Sequence, residues 1–362
     1  MPEFFIGLMS GTSLDGVDAA LVDFSNPDGS LVATRFTPFP ASLRTEALAL
    51  NSPGEDEIHR AASLGNEIAS MYADAIHALL DDAQLSPSQI RAIGAHGQTV
   101  RHRPDLGYTV QLCNGALLAE RSGIRAVTDF RSRDIAAGGQ GAPLVPAFHA
   151  ARFRSSSSHR VILNIGGIAN VTDLPPLTSA KGFDTGPGNL LLDMWCMRHT
   201  GKAFDADGKW ASSGRCDPAL LNRFLSEPFF QAAPPKSTGR DLFNDQWLSQ
   251  FGPEAYVAAD VQATLLELSA RSIADAITAH CKGMQEIFVC GGGAANGHLL
   301  KQLSAHLPAT RIESTEALGL HPDWVEAVAF AWLARQTLSG KAGNLPEVTG
   351  ASGIRILGAI HQ

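Results

Sequence analysis

The sequence predicts an α/β protein of two domains, on three observations. The chain has 362 residues, against roughly 150 per domain in typical soluble proteins. Strand-like and helix-like stretches alternate along it, with no low-complexity block and no short tandem repeat, the pattern of layered α/β folds. A strand–glycine turn–strand unit opens at Phe4, and a second opens at Val161. On spacing alone two readings of that recurrence stay open: two similar domains whose hairpin tips face a shared cleft, or two unrelated glycine-rich hairpins.

Taken in order, Phe4–Met9 is an apolar strand, residues 10–16 a polar turn and residues 17–24 an apolar strand again. Glu57–Ala83 carries apolar residues at three- and four-residue spacing, from Ile58 through Ile68, Tyr72 and Ile76 to Leu80, and predicts a long amphipathic helix. Residues 91–95 form a strand that ends at His96-Gly97-Gln98. The serines at 155–158 suggest a surface connection between the halves. Residues 161–163 lead through Asn164-Ile-Gly-Gly-Ile-Ala-Asn170 into a strand at 171–174. Asp184-Thr-Gly-Pro-Gly-Asn189 precedes a helix over 190–198, with Pro187 well placed near its start. A second long helix is expected over about 260–281. A buried strand at 286–289 runs into Gly291-Gly-Gly293, and a helix through Leu299, Leu300 and Leu303 follows. Pro175-Pro176 and Pro234-Pro235 mark loops.

Composition narrows the function. Lys and Arg total 28 against 36 Asp and Glu, a net charge of −8, which argues against a nucleic-acid-binding surface as the main task. No uncharged apolar run approaches the length of a membrane span, and the N-terminus lacks the cationic start of a signal peptide. Five cysteines, Cys113, Cys196, Cys216, Cys281 and Cys290, form no CxxC pair. They are expected to be reduced core thiols. The histidines show no HxxxH or HExxH spacing, so no transition-metal site is expected.

The glycine turns restrict phosphate chemistry. Gly11-Thr-Ser-Leu-Asp-Gly16 has P-loop spacing, but Val17-Asp18 follows where Lys-Ser/Thr is needed, and the next segment is strand rather than helix. No G-x-G-x-x-G follows a strand. What remains is a hairpin whose backbone N–H groups converge on phosphate, aided by the hydroxyls of Thr12 and Ser13, with Asp15 holding Mg²⁺ through water. Gly291, Gly292 and Gly293 would let adenine or ribose approach the backbone. Residues 101–133 contain six arginines against three acids. A planar guanidinium suits a substrate carboxylate, although a solvated basic face or an ion pair of Arg131 with Asp129 or Asp134 explains the same residues.

These segments resemble the anhydro-N-acetylmuramic acid kinases, bacterial enzymes of the sugar kinase/Hsp70/actin (ribonuclease H-like) fold. The resemblance runs nearly end to end. It rests on residues 7–18, on Gly94-Ala-His-Gly-Gln-Thr-Val-Arg-His102, on 129–146, on 164–170, on Gly182-Phe-Asp-Thr-Gly-Pro-Gly-Asn189, on Pro235-Lys-Ser-Thr-Gly-Arg-Asp241 and on 289–294. It implies ATP-dependent hydrolytic opening of 1,6-anhydro-N-acetylmuramic acid with phosphorylation of O6, in peptidoglycan recycling. It also implies Mg²⁺, a cytoplasmic homodimer, and two domains around an ATP cleft, one formed by residues 1–130 with 341–362 and the other by 131–340. ATP would be held by Gly11, Thr12, Ser13, Leu14, Asp15, Gly16, Val17 and Asp18, by Gly166 and Gly167, and by the glycines at 291–293. Asp184 would be the catalytic base. His96, Gly97, Gln98, Arg131, Arg133, Asn189 and Glu326 would meet the sugar. A helix-capping role for Asp184 and a structural role for His96 are the alternatives read from the residues alone. The rival functions are a kinase of the same fold acting on an ordinary sugar hydroxyl, an ATP-regulated binding protein of the Hsp70 type, and a filament-forming protein.

Overall fold

The computed structural model describes residues 2–11 and 13–362. The chain divides into two compact units, Met1–Arg152 with Trp324–Gln362, and Phe153–Asp323. The first unit contains β1 (Phe4–Met9), β2 (Gly16–Asp23), β3 (Ser30–Pro38), β4 (Ile90–Ala95), β5 (Gln98–Arg103), β6 (Tyr108–Leu112) and β7 (Ala126–Thr128). The second contains β8 (Arg160–Ile165), β9 (Ile168–Leu174), β10 (Lys181–Pro187), β11 (Glu286–Cys290) and β12 (Arg311–Ser314). The last strand, β13 (Ala359–His361), returns to the first unit.

The first unit is built on a six-stranded sheet in the order β13-β7-β4-β1-β2-β3, with β5 and β6 as a separate ribbon. β1 pairs antiparallel with β2 and parallel with β4, and β4 runs parallel with β7. β1, β4 and β7 therefore end at one edge of the sheet, at Ser10, His96 and Asp129. Side chains alternate between faces along a strand. Ile6 and Leu8 join the core formed with the Glu57–Ala83 helix. Gly7 presents the opposite face to the Val325–Leu338 helix. Gly7 lies directly opposite Gly94 in the β1–β4 ladder. A Cβ on Gly7 would overlap the Ala327 carbonyl, and one on Gly94 would overlap the Phe330 carbonyl.

That contact revises the expected partition. Residues 324–340 belong to the first unit because the Val325–Leu338 helix packs on β1, β2 and β4. Residues 131–152 stay there too. Asp134, fully buried, accepts from Gly141 N at 2.8 Å, Asn344 Nδ2 at 2.7 Å and Thr349 Oγ1 at 2.8 Å, binding this stretch to the C-terminal residues.

The second unit has a five-stranded sheet in the order β10-β9-β8-β11-β12. β8 and β10 are both antiparallel to β9, and β8 is parallel to β11. β8, β10 and β11 thus point the same way and end at one edge. The Ala258–His280 helix contributes Val261, Leu265, Ile273 and Ile277 to its core.

The two long helices and the strand–turn–strand units fall where periodicity puts them. Ile58 does not join the core stripe and is 89% exposed; burial along that helix begins at Leu64. The serines at 155–158 lie just beyond the boundary between the units. No helix is long and apolar enough to cross a membrane among the described residues.

Gly94→Ala should lower stability by about 2–3 kcal/mol, the usual cost of forcing an added methyl into a packed site. Urea unfolding midpoints will measure it.

Candidate active site

Three of the expected segments share one strand edge of the second unit. β8 ends in the Gly166-Gly167 turn. The carbonyl of Gly166 accepts from Asn189 N at 2.8 Å, and that of Gly167 accepts from Gly188 N at 2.9 Å and Leu190 N at 3.0 Å. The turn is thereby docked on the first turn of the Leu190–Thr200 helix. Because a trans peptide holds C=O and N–H on opposite sides, the Gly167 N–H points away from the Asn189 amide that the Gly166 carbonyl accepts from. β11 ends in Gly291-Gly292-Gly293. Gly291 and Gly293 are required by packing, since Cβ atoms there would strike Asn164 and Ile165. Gly292 meets nothing within 4 Å, so the fold leaves space at that position. Asn189 turns inward, its Nδ2 donating to the Ile165 carbonyl at 3.4 Å. It braces the turn from behind.

Asp184 reaches the same edge from β10. The β9–β10 ladder slips between Asp184 and Gly186, a bulge of the kind that re-aims side chains beside active sites. Asp184 N donates to the Lys236 carbonyl at 3.1 Å, and Asp184 Oδ2 accepts from Thr238 N at 2.9 Å. Asp184 is therefore not a helix cap; the Leu190–Thr200 helix has its N-cap at Asn189. Burial pushes the half-buried Asp184 carboxyl up to about 6, against the opposing pull of the Thr238 N–H and the Lys236 ammonium. A carboxylate raised into that range is suited to take a proton near neutral pH.

The first unit gathers the other residues. Thr12 lies outside the described residues. Next to it Gly11 accepts from Leu14 N at 3.3 Å and from Gln98 Nε2 at 3.3 Å. Leu14 adopts a left-handed φ of 57° and buries its side chain, and Val17 is wholly in the core. Their side chains anchor the hairpin, so only their backbones are open to a ligand. Gly16 is likewise a packing position, its missing Cβ filled by Phe36 and Thr37. Asp18 is half-buried within β2, opposite Met9. Asp15 is exposed, with Oδ1 accepting from Ser13 Oγ at 2.7 Å and Gly16 N at 3.1 Å. A hard carboxylate oxygen held this way beside backbone amides fits a water-bridged Mg²⁺.

His96, Gly97 and Gln98 sit where β4 gives way to β5. His96 is buried against the Phe330 ring, centroids 4.8 Å apart. Its Nε2 accepts from Arg131 Nη2 at 2.8 Å and Nε at 3.2 Å. Arg131 Nη1 donates to the Gly141 carbonyl at 2.8 Å. Arg131 is paired with neither Asp129 nor Asp134, whose acceptors are taken by Ser132 and by the Gly141–Thr349 network. The half-buried Glu326 interacts with Arg131 by charge; burial raises its carboxyl and Arg131 opposes the rise. Gln98 is buried, with Oε1 lacking a partner among the described residues. Arg133 is exposed and lines an open groove of about 710 Å³ with Asp129, Ser132 and Arg355. The excess of arginine at 101–133 is partly internal, because Arg101 pairs with Glu57 at 2.5 Å and Arg103 with Asp105 at 2.6 Å. Among the described residues the cysteines form no disulfide; Cys196, Cys281 and Cys290 are buried, while Cys113 and Cys216 are half-buried.

Lys236 and Thr238 were not singled out by residue type, although the 235–241 segment was. A lysine in a proline-bounded loop carries no periodic signal, and only the fold brings it to Asp184.

With this geometry in place, the comparison with known proteins is decisive. The sequence model described as "Anhydro-N-acetylmuramic acid kinase" matches residues 3–362. This chain belongs to that family. Proteins of that name from Nitrosomonas europaea and Thiobacillus denitrificans are 54% and 55% identical to it, over 362 and 364 residues. The alignments cover 99% of this chain in both cases, and 99% and 97% of the relatives. Component A of (R)-2-hydroxyglutaryl-CoA dehydratase from Acidaminococcus fermentans is 12% identical, with a TM-score of 0.50 over 91% of this chain and 96% of that one, a likeness of fold alone. The expected sugar kinase/Hsp70/actin-like α/β architecture holds for the family member described here.

Burial and the Arg131 charge push His96 down to about 3. With Nε2 accepting from Arg131, its proton sits on Nδ1. His96 should therefore stay neutral in that tautomer from pH 5 to 8, with ring ¹⁵N shifts that do not titrate.

Proposed function

We propose that this chain opens 1,6-anhydro-N-acetylmuramic acid by hydrolysis and phosphorylates O6, using ATP and giving N-acetylmuramic acid 6-phosphate and ADP. The observation that carries the reading is Asp184, a half-buried carboxylate raised to about 6. It sits on the strand edge that also bears the Gly166-Gly167 turn and the Gly291–Gly293 segment. Membership of the family supplies the substrate.

In this sugar O6 is bridged to C1, so there is no 6-hydroxyl to deprotonate. Asp184 takes a proton from water instead. The water oxygen bonds to C1 as the C1–O6 bond breaks. O6 then bonds to the γ-phosphorus of ATP as the bond to the β-phosphate oxygen breaks and ADP leaves. A glycosidase needs a second carboxylic acid to protonate the departing oxygen; here phosphorus captures it, and one carboxylate suffices.

The backbone amides of the Gly166-Gly167 turn would donate to phosphate oxygens, and those of the first glycine turn would serve the same task in the first unit. Asp15 would hold Mg²⁺, which neutralises charge on the transferring phosphoryl group. Gly292 admits the nucleoside. Arg131, whose Nε, Nη1 and Nη2 are engaged by His96 and Gly141, fixes the position of His96 for the sugar. The exposed Arg133 is the better fork for the lactyl carboxylate. Gln98 Oε1 is an acceptor for a sugar donor. The product's place in peptidoglycan recycling, the homodimer and the cytoplasmic location are what the family resemblance implies, and they belong to this proposal.

In ¹⁸O-water the product should carry one phosphate and one ¹⁸O at C1, read by mass spectrometry. Phosphorylation without ¹⁸O would instead indicate attack by an ordinary sugar hydroxyl. Asp184→Asn should lose at least about a hundredfold in turnover while still binding ATP by calorimetry.

A further inference from the structure

Asp184 is held by a strap rather than by its own strand alone. Its backbone N–H bonds to the Lys236 carbonyl, and its Oδ2 accepts from Thr238 N. Two hydrogen bonds to one three-residue segment fix both the main chain and the carboxylate. Between them lies the Lys236 side chain, which has a defined seat. Its Nζ donates to the Phe229 carbonyl at 3.1 Å and lies 4.5 Å from the centroid of the Phe229 ring. That ring is in turn packed edge-on against Phe243 and Phe230, at 5.8 Å and 6.0 Å. A cation over an aromatic face and bonded to a carbonyl is kept from wandering into solvent. Lys236 forms no ion pair within contact distance among the described residues, yet its charge acts on Asp184.

We propose that Lys236 is a positioning residue for the hydrolytic kinase reaction: seated on Phe229, it holds its ammonium beside Asp184 and keeps that carboxylate ionised and aimed. The inference rests on the assignment of Asp184 as the base.

The physical logic is a balance of two opposed effects. Burial favours the neutral acid, which cannot accept a proton from water. A fixed cation favours the carboxylate without forming the contact ion pair that would tie up its lone pairs. The base is thereby left basic enough to work and ionised enough to be available. Lys236 also experiences the opposite side of the balance, lowered by burial and raised by Asp184.

Few other charges surround Asp184. From the Ala258–His280 helix, His280 packs edge-on to the Phe183 ring at 5.5 Å and is lowered by burial and by Lys236. Asp173 on β9 faces Lys181 at the far end of the β10 ladder and is bonded to His159. Glu227, next to the 228–231 helix, accepts from Trp247 Nε1. Both acids are engaged by partners other than Lys236 and Asp184.

The test is the pH dependence of kcat for the full chain with MgATP and 1,6-anhydro-N-acetylmuramic acid. Lys236→Met removes the charge and keeps the length. Loss of a nearby opposite charge raises a carboxyl by about one pH unit or more. The acid limb of kcat should therefore move up by about one pH unit, cutting turnover at pH 6 roughly fivefold and restoring it above pH 8. Lys236→Arg should restore the wild-type limb, and Phe229→Leu should shift it part of the way. An unchanged acid limb, or a loss of kcat equal at every pH and not rescued by arginine, would overturn the role given to Lys236 while leaving Asp184 as base. Undiminished turnover by Asp184→Asn would instead remove the base assignment beneath it.

Discussion

Gly7 and Gly94 lie opposite each other on neighbouring strands, and the backbone of the Val325–Leu338 helix rests directly on them. Most helix–sheet packing keeps the two backbones apart by a layer of side chains. Here the layer is missing at the centre, and the helix uses Ala327, Ala331 and Ala334 where it comes closest. Much of the first unit's site depends on this approach. It brings Phe330 against both Phe130 and His96, at 5.6 Å and 4.8 Å. It also places Glu326 where its charge acts on Arg131. His96 is thus fixed from two sides, by a ring on the helix and by a guanidinium from the segment after β7. A larger residue at either glycine would displace the helix and, through Phe330, the His96–Arg131 pair.

The second unit solves a similar problem differently. Its edge residues are set by the register of β9 and β10. A regular ladder would continue the alternation of faces through Asp184, Thr185 and Gly186, and the slip breaks it directly after Asp184. Gly186 has a φ of 142°, and its missing Cβ is filled by Phe230. The bulge and the aromatic cluster that seats Lys236 are therefore parts of one packing arrangement. The charge environment of Asp184 follows from hydrophobic contacts several residues away.

Much of this was legible in the sequence because it is periodic or local. The helix over Glu57–Ala83 was readable from its apolar spacing, and the glycine turns were readable as turns. The segment before the Leu190–Thr200 helix was recognisable as a place for a supported carboxylate. The division into units was not. It turns on the Val325–Leu338 helix, which is apolar nearly all round and gives no sign of which sheet it covers. The function of Arg131 was equally hidden. An arginine in a basic stretch reads as a ligand fork, and only the fold shows Nε, Nη1 and Nη2 spent on a histidine and a carbonyl. Leu14 and Val17 sit inside a ligand-like turn, yet their side chains serve the core. Lys236 was invisible for the complementary reason: its partners lie five decades of sequence away, at Asp184, and on an aromatic seat that no local pattern announces.

The order of the chain has a consequence for biosynthesis. The second unit is one continuous run, Phe153–Asp323, whereas the first is completed only by Trp324–Gln362. Every residue of the second unit has been translated before the helix that covers Gly7 and Gly94 exists. β1 and β4 are both made within the opening stretch of synthesis, then wait through about 230 further residues, some 10–50 s at typical elongation rates. During that interval the nascent first unit presents an uncovered sheet face at the ribosome. The contact of that helix with Gly7 and Gly94 can form only after the whole second unit has been made.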